Sequence, residues 1–524
     1  MIAYWKGRNS TLFKELDGTL GLKQMQNYTP MFKRFFELND KNWNRINFDN
    51  KRKLKTMVDG KTATLVTADG KTAEKRVFFK MSPLLDPSKY LAGLYEDYGF
   101  TLPTLNDGCY QKISDHNNAA YVDGFFYYLM DVLPESLNCA HTVACYGNYL
   151  AIKTDFVYNV EEDLEPLMHN KFFKNKLGTL FKFKDPSMTL PTTCAKLTFE
   201  EDVVLDDLIE IQGDSTEERI EPACEEVMDR LSFDSDSTNG LADLTDGFNG
   251  SAKSFGSNSS DTNNSDSEEE ASFDTDQSFS EIQLTINQFP VQAIALEHLE
   301  CTLDTLLSQD LNADQLASAL IQIVMTLIAF QHMFHFTHND LHTNNVMCTS
   351  TAATHLYYCF KGVHYKVPTY GRVFKIIDFG RAIFSYKGQR FISDSFSPYG
   401  DAATQYNTEP YMVENKPRLE PNYSFDLCRL GCSLLDVLPD TKPFQALNDL
   451  IAAWCTDDKG RNMLYKKNGV ERYPNFKLYK MIARSVHNHT PQVQLEKPIF
   501  KQFQCDKNEC NVFNLDELPS YWKI

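Results

Sequence analysis

The stretch HNDLHTNN at 338–345 places an aspartate, Asp340, five residues ahead of an asparagine, Asn345. Further along, IIDFG at 376–380 sets a second aspartate, Asp378, after an apolar run and directly before Phe379 and Gly380. Phosphoryl transfer from a nucleotide needs a group that orients or deprotonates the acceptor hydroxyl, and oxygen ligands for the magnesium that accompanies the phosphates. Asp340 suits the first task, and Asn345 and Asp378 suit the second. A polar turn between two apolar strands is the plain alternative for either motif alone. The two motifs in this order, each behind an apolar run, favour the chemical reading.

Such residues must be held by strands and helices, and the flanking sequence supplies them. From 52 to 82, KLKTMVDGKTATLVTADGKTAEKRVFFKMS alternates β-branched and polar residues around Asp-Gly pairs at 59–60 and 69–70, which predicts consecutive antiparallel strands. The last of these carries Lys80. SPLLDPSKYLAGLYEDYG (82–99) and NNAAYVDGFFYYLMDVLPESL (117–137) read as helices, offering Glu96 and Asp123 as acids. Asp123 is the stronger choice, because an acid on an apolar face needs a partner. HTVACYGNYLAIK (141–153) has the alternation of a strand pair, and residues 155–185 that of an acidic turn and a helix. VQAIALEH (291–298) reads as a strand, and DQLASALIQIVMTLIAFQHMFHF (314–336) as a long apolar-faced helix leading into HNDLHTNN. His338 reads as a packed core histidine. Short strand patterns between 355 and 375 read as an enlarged β-hairpin, and FDLCRLGCSLLDVL (425–438) as a helix with Asp426 in its first turn. Arg461 and Arg472 are available to tie their region to Glu409.

The chain has 524 residues, enough for two to four units, and a formal net charge of −19. That balance argues against broad nucleic-acid binding or binding to anionic membranes, both of which need basic surfaces. The first residues, MIAYWKGRNS, lack the apolar core of a signal peptide, and the most apolar run, 317–330, is short for a membrane span and reads as a buried helix. Thirteen cysteines are scattered without zinc spacing, as expected of reduced thiols inside a cell. Residues 1–50 read as a helical or irregular extension. From 200 to 283 the chain is acidic and then rich in Ser, Asp, Asn and Gly, too poor in apolar residues to offset its ordering entropy, so this stretch is expected to be disordered. It reads first as a solvated spacer. Ser265 and Ser267 each precede an acid at the third following position, the pattern preferred by acidophilic kinases.

Taken together, Lys80 at the end of RVFFK, HNDLHTNN, IIDFG and DLCRLG resemble, in order, the motifs of the protein-kinase superfamily. The resemblance covers about residues 80 to 524. More narrowly, VFFKMSPLLDP, NNAAYVDGFF and ERYPNFKLYKMIARSVHNHTP are similar to the serine/threonine-kinase-like proteins of giant DNA viruses, the mimivirus-like group. The resemblance implies an α+β, bilobal protein-kinase-like fold, with a β-rich small lobe and a mainly helical large lobe. The expected division is an extension at 1–50, the first part of the small lobe at 51–199, the acidic insert at 200–283, the last small-lobe strand and hinge at 284–300, and the large lobe with a C-terminal extension at 301–524.

It further implies an ATP- and magnesium-dependent serine/threonine-protein kinase. Lys80 would hold nucleotide phosphates with Asp123 as its acidic partner. Glu297, His298 and Leu299 would form the adenine hinge, Asp340 would be the base, and Asn345 and Asp378 the metal ligands. Asp426 would anchor the catalytic loop from below. The partners implied are a protein substrate and a host acidophilic kinase acting on Ser265 and Ser267, with no nucleic acid and no membrane; the location implied is the host cytoplasm or the virion.

The sequence departs from the family pattern in three places. Asn339 replaces the usual Arg, which removes the guanidinium that docks a phosphorylated activation loop, so activity independent of such phosphorylation is expected. His342 replaces the usual Lys. No G-x-G-x-x-G precedes Lys80; Gly60 and Gly70 either flank a degenerate phosphate-covering hairpin or are simply turns, and TEP at 408–410 is a loose stand-in for A-P-E. A catalytically silent scaffold and a small-molecule phosphotransferase are the competing readings, the first motivated by the missing glycine loop and the second by His342.

Overall fold

The computed structural model describes residues 2–95, 99–106, 108–187, 282–309, 311–506 and 511–523. Glu96, Ser265, Ser267 and nearly all of the acidic stretch at 200–283 lie outside the described residues.

Alternating β-branched and aromatic residues build a seven-stranded antiparallel sheet in a mixed α+β architecture. Its order is Leu22–Gln26, Cys145–Asn159, Gln283–Glu297, Thr72–Pro83, Thr62–Thr67 and Arg52–Met57, with Phe181–Phe183 pairing further along Gln283–Glu297. The Asp-Gly pairs lie at the expected turns between the last three strands, and Gly70 takes a left-handed φ of 81° that suits a residue without Cβ. Lys80 sits opposite Ile294 in the middle of the sheet, and Val77 opposite Glu297 at the end where the chain leaves it.

The segment at 1–50 is no extension. Leu22–Gln26 is an edge strand of the sheet, registered against Lys153 and Leu150. Leu12, Leu16, Tyr28, Met31 and Phe32 are all buried in the main core. Two further expectations are corrected. Residues 145–159 form one strand of 15 residues rather than a pair, with a register shift against Gln283–Glu297 between Cys145 and Gly147. Past that strand the acidic residues 161–163 form the expected turn, and two short helices, Leu164–His169 and Lys171–Lys176, stand where one was read.

Helix Ala119–Asp131 lies against the sheet, started by Asn118, whose side chain accepts from the Ala120 N–H. Gly124 allows the close approach: a Cβ there would stand 2.2 Å from the Gln292 amide nitrogen, and the Gly124 carbonyl accepts from Asn148 (2.8 Å). Helix Ala313–Phe334 is buried along most of its length and is opened by a reciprocal Asn312–Gln315 capping box. Its 22 residues are long and apolar enough to cross a membrane, and 94% of its most apolar window is buried inside the protein, in keeping with the buried helix read from the sequence. Helices Phe425–Leu434 and Gln445–Trp454 meet at Gly431, where a Cβ would press on Trp454 and Cys455. The hairpin His355–Phe360 and Val363–Pro368 joins a four-stranded sheet with Gln504–Cys505 and Val512–Asn514 near the end of the chain.

Candidate active site

The loop 337–345 connects helix Ala313–Phe334 to strand Val346–Ser350, and it is pinned from beneath. Asp426, fully buried at the start of its helix, accepts from the backbone N–H groups of His338 and Asn339, both at 2.9 Å. Burial raises the Asp426 carboxyl, while those amides favour the ionised form. His338 is a core histidine as expected, its Nε2 against the Ile377 carbonyl (2.8 Å). Asn339, at a left-handed φ of 66°, donates to the carbonyls of Thr337 and Arg381 and accepts from the Tyr406 hydroxyl (2.7 Å). Its bonds to Arg381 and Tyr406 join the loop to the chain after Gly380.

Asp340 is 3% exposed. One carboxylate oxygen accepts from the Tyr479 hydroxyl at 2.6 Å, and the other faces the Arg381 guanidinium at 3.3 Å. Burial works to raise this carboxyl, but Arg381, His342, Arg429 and Tyr479 outweigh it and hold it below the usual carboxylate range. The Asn345 amide nitrogen donates to the Asp340 carbonyl (2.9 Å), which fixes the spacing of the pair and leaves the Asn345 side-chain oxygen as the atom able to serve as a ligand.

Across the cleft, Lys80 Nζ bridges Asp123 (2.8 Å) and Asp378 (2.9 Å). Burial alone would lower the lysine pKa; the two carboxylates override it and keep the ammonium charged. Asp123 also accepts from the Phe379 N–H (2.8 Å), and Tyr127, one helical turn later on the same face, accepts from the Asp378 N–H (3.0 Å). A single helix thus fixes both the lysine and the Asp378–Phe379 peptide. Asp378 itself sits at a φ of 62°, a conformation costly for a side-chain-bearing residue and frequent at functional sites.

Lys80, Asp123, Glu297, His298, Leu299, Asn345 and Asp378 line one pocket of about 340 Å³, closed by Phe78, Leu296, Met347 and Ile377. Glu297 does more than contribute backbone: its carboxylate pairs with Lys375 and accepts from the Ala144 N–H. Gly60 and Gly70 are turn residues and do not line the pocket, and neither does any residue of the hairpin between 52 and 71. Asp340 is not among the lining residues; it is held one step beyond, through Asn345. The expected tie of Arg461 and Arg472 to Glu409 does not form. Arg461 pairs with Asp457, and Arg472 donates to the carbonyls of Asn462 and Tyr465.

Three contributors escaped the sequence reading. Arg381 directly follows Gly380, so proximity to the motif could have flagged it. Tyr127 stands four residues after Asp123 and could have been found from helical spacing. Tyr479 lies 139 residues from Asp340 and carries no local signal.

Among the described residues, no group of three or more His, Cys, Asp or Glu could hold a metal ion by itself. Magnesium makes a different demand: it commonly takes one or two protein oxygens and completes its shell with water and phosphate. Asn345 and Asp378 fit that demand. Two carboxyl groups, Asp123 and Asp378, converge there on the single amine of Lys80. No protein-family model matches the chain, and no curated protein matches it.

Proposed function

We propose that the chain is an ATP- and magnesium-dependent protein kinase of the bilobal type, acting on serine or threonine hydroxyls. In this reading the antiparallel sheet and helix Ala119–Asp131 form the small lobe, and the helices from Leu303 onward form the large one. The observation that carries the reading is the Lys80–Asp123–Asp378 bridge, which shares its pocket with Asn345. A scaffold has no chemical use for a strained aspartate, an oriented asparagine and a buried, charged lysine in one cleft.

The roles follow from the geometry. Asp123 keeps Lys80 extended toward the pocket, where its ammonium would hold nucleotide phosphates. The segment Glu297–Leu299 would offer backbone groups to the adenine. Asn345 and Asp378 would hold magnesium, which would supply positive charge to offset that of the phosphates. Asp340 accepts a hydrogen bond from the acceptor hydroxyl, orients it toward the phosphoryl group and takes its proton. Because Arg381 and Tyr479 stabilise the ionised carboxylate, orientation comes first and proton transfer late, as suits a loose transition state. Asn339, already saturated by neutral partners, removes the need for a phosphorylated loop.

The test is transfer of labelled γ-phosphate from ATP. The native chain is expected to label itself or an added protein, and Asp340→Ala to lose about 10²- to 10⁴-fold in rate. Labelling of small hydroxyl compounds in place of protein would assign a small-molecule phosphotransferase. Nucleotide binding without transfer to either would assign a binding platform.

A further inference from the structure

Asp340 does not stand alone in the acceptor region, and its surroundings are built from distant parts of the chain. Helix Lys477–Ser485 buries Tyr479, whose ring stacks on Phe476 with centroids 5.2 Å apart and meets Phe425 at 6.2 Å. The Tyr479 hydroxyl has two partners. Arg429, on helix Phe425–Leu434, brings its Nε–H to the oxygen at 2.8 Å, and Asp340 lies at 2.6 Å on the other side. A guanidinium N–H can only donate, so the tyrosine oxygen accepts from Arg429 and its own proton is directed at Asp340. Arg381 holds the opposite carboxylate oxygen and is itself 2% exposed, its guanidinium 5.8 Å from the Tyr479 ring. With one donor on each oxygen, the carboxylate plane cannot turn, yet each oxygen retains a lone pair for an incoming hydroxyl.

We propose that Tyr479 is a positioning residue for Asp340: its hydroxyl, aimed by Arg429 and opposed by Arg381, fixes the carboxylate in the rotation that receives the acceptor hydroxyl. The proposal rests on the phosphoryl-transfer reading of the site. It gives helix Lys477–Ser485, which contributes nothing to the nucleotide pocket, a defined part in the reaction. The helix is no displaceable cap, because Phe476, Tyr479, Ile482 and Ala483 seat it in a buried cluster with Phe425 and Tyr406.

Tyr479→Phe keeps the ring stacks and deletes the hydroxyl. Expected is a fall in kcat on the order of tenfold, with the KM for ATP and the thermal midpoint held near native values. Introduced into Asp340→Asn, whose residual rate no longer depends on a carboxylate, Tyr479→Phe is expected to change nothing further. Arg429→Gln, which frees the hydroxyl from its outer partner, tests the same arrangement from a second helix and is expected to lower kcat in the same way. An unchanged kcat in Tyr479→Phe, or an equal loss in the native and Asp340→Asn backgrounds, would overturn the proposal and leave Tyr479 a packing residue. If the native chain transfers no phosphate at all, the kinase reading fails, and this proposal with it. An active native chain with an indifferent Tyr479→Phe sinks the positioning role alone.

Discussion

Two carboxylates and one ammonium meet within about 3 Å at Lys80, and the strength of that arrangement is also its weakness. Removing one partner of a buried charge group leaves the others uncompensated, which costs more than the pair itself contributes. Asp123→Asn keeps the shape and the Phe379 N–H bond but takes away the charge that aims Lys80. The expected result is a fall of about 10²-fold in phosphoryl transfer, the scale of a misplaced reacting group, with the fold retained by circular dichroism. Native-like transfer from this variant would remove Asp123 from the machinery. At this scale the sequence was most informative. Asp340, Asn345, Asp378, Lys80 and Asp426 sit in short motifs whose spacing is dictated by the bonds they make, and Asp123 betrayed itself as an acid on an apolar face. Tyr479 did not, because its partner is chosen by how two helices pack and no local pattern encodes that.

Helix Ala119–Asp131 is the element on which the site turns. Its first turn is tied to the segment after Gly380: Asp394 accepts from the Ala119 N–H at 2.9 Å and pairs with Lys112 at 2.5 Å, while the Asp394 N–H donates to the Asn117 carbonyl. Further along, Phe125 and Phe126 pack on Phe391, Phe384 and Phe379. The segment after Gly380 and the helix bearing Asp123 are therefore held together by aromatic packing and by the Asp394 carboxylate. Asp394→Ala is expected to destabilise the protein by about 1–2 kcal/mol, the range of a lost helix cap, and to lower transfer through displacement of Asp123. Denaturant unfolding beside an activity assay checks both, and a stable, fully active variant would show that the aromatic contacts suffice. Strand boundaries were the poorly legible elements. The run 141–153 alternates like a strand pair but belongs to one strand whose register shifts between Cys145 and Gly147, and Asp155, at a φ of 52°, sits inside that strand. In both cases pairing with Gln283–Glu297 overrides the local preference.

Across the whole molecule, distant parts of the chain are joined by buried polar contacts as well as by apolar ones, and His141 makes two of the polar ones. It lies between the helix and the long strand, its ring nitrogens bonded to the Phe374 carbonyl and the Tyr358 hydroxyl, both at 2.8 Å. Burial depresses its pKa to about 4. The unfolded chain protonates this side chain near pH 6.5 and the folded chain does not, so the unfolded state binds more protons in between. The resulting stability is fully present above about pH 6.5 and is lost as pH falls toward 4, by about 3 kcal/mol at the lower limit. His141→Gln can keep both bonds without titrating. The stability difference between native and variant is expected to shift by that amount between pH 7 and pH 4, and a constant difference would contradict the assignment. The N-terminal fifty residues show why the molecular scale was hardest to read. LKQMQ has little strand character of its own and becomes an edge strand only because Cys145–Asn159 offers it an open side.

The proposed function requires the pocket lined by Lys80, Asn345 and Asp378 to be a magnesium–nucleotide site. Calorimetric titration of the native chain and of Asp378→Ala with ATP, with and without magnesium, tests it most directly. Expected is saturable binding by the native chain that is tighter with magnesium, and loss of that magnesium dependence in Asp378→Ala. A folded native chain that binds no nucleotide, or an Asp378→Ala variant that keeps the full magnesium effect, would contradict it.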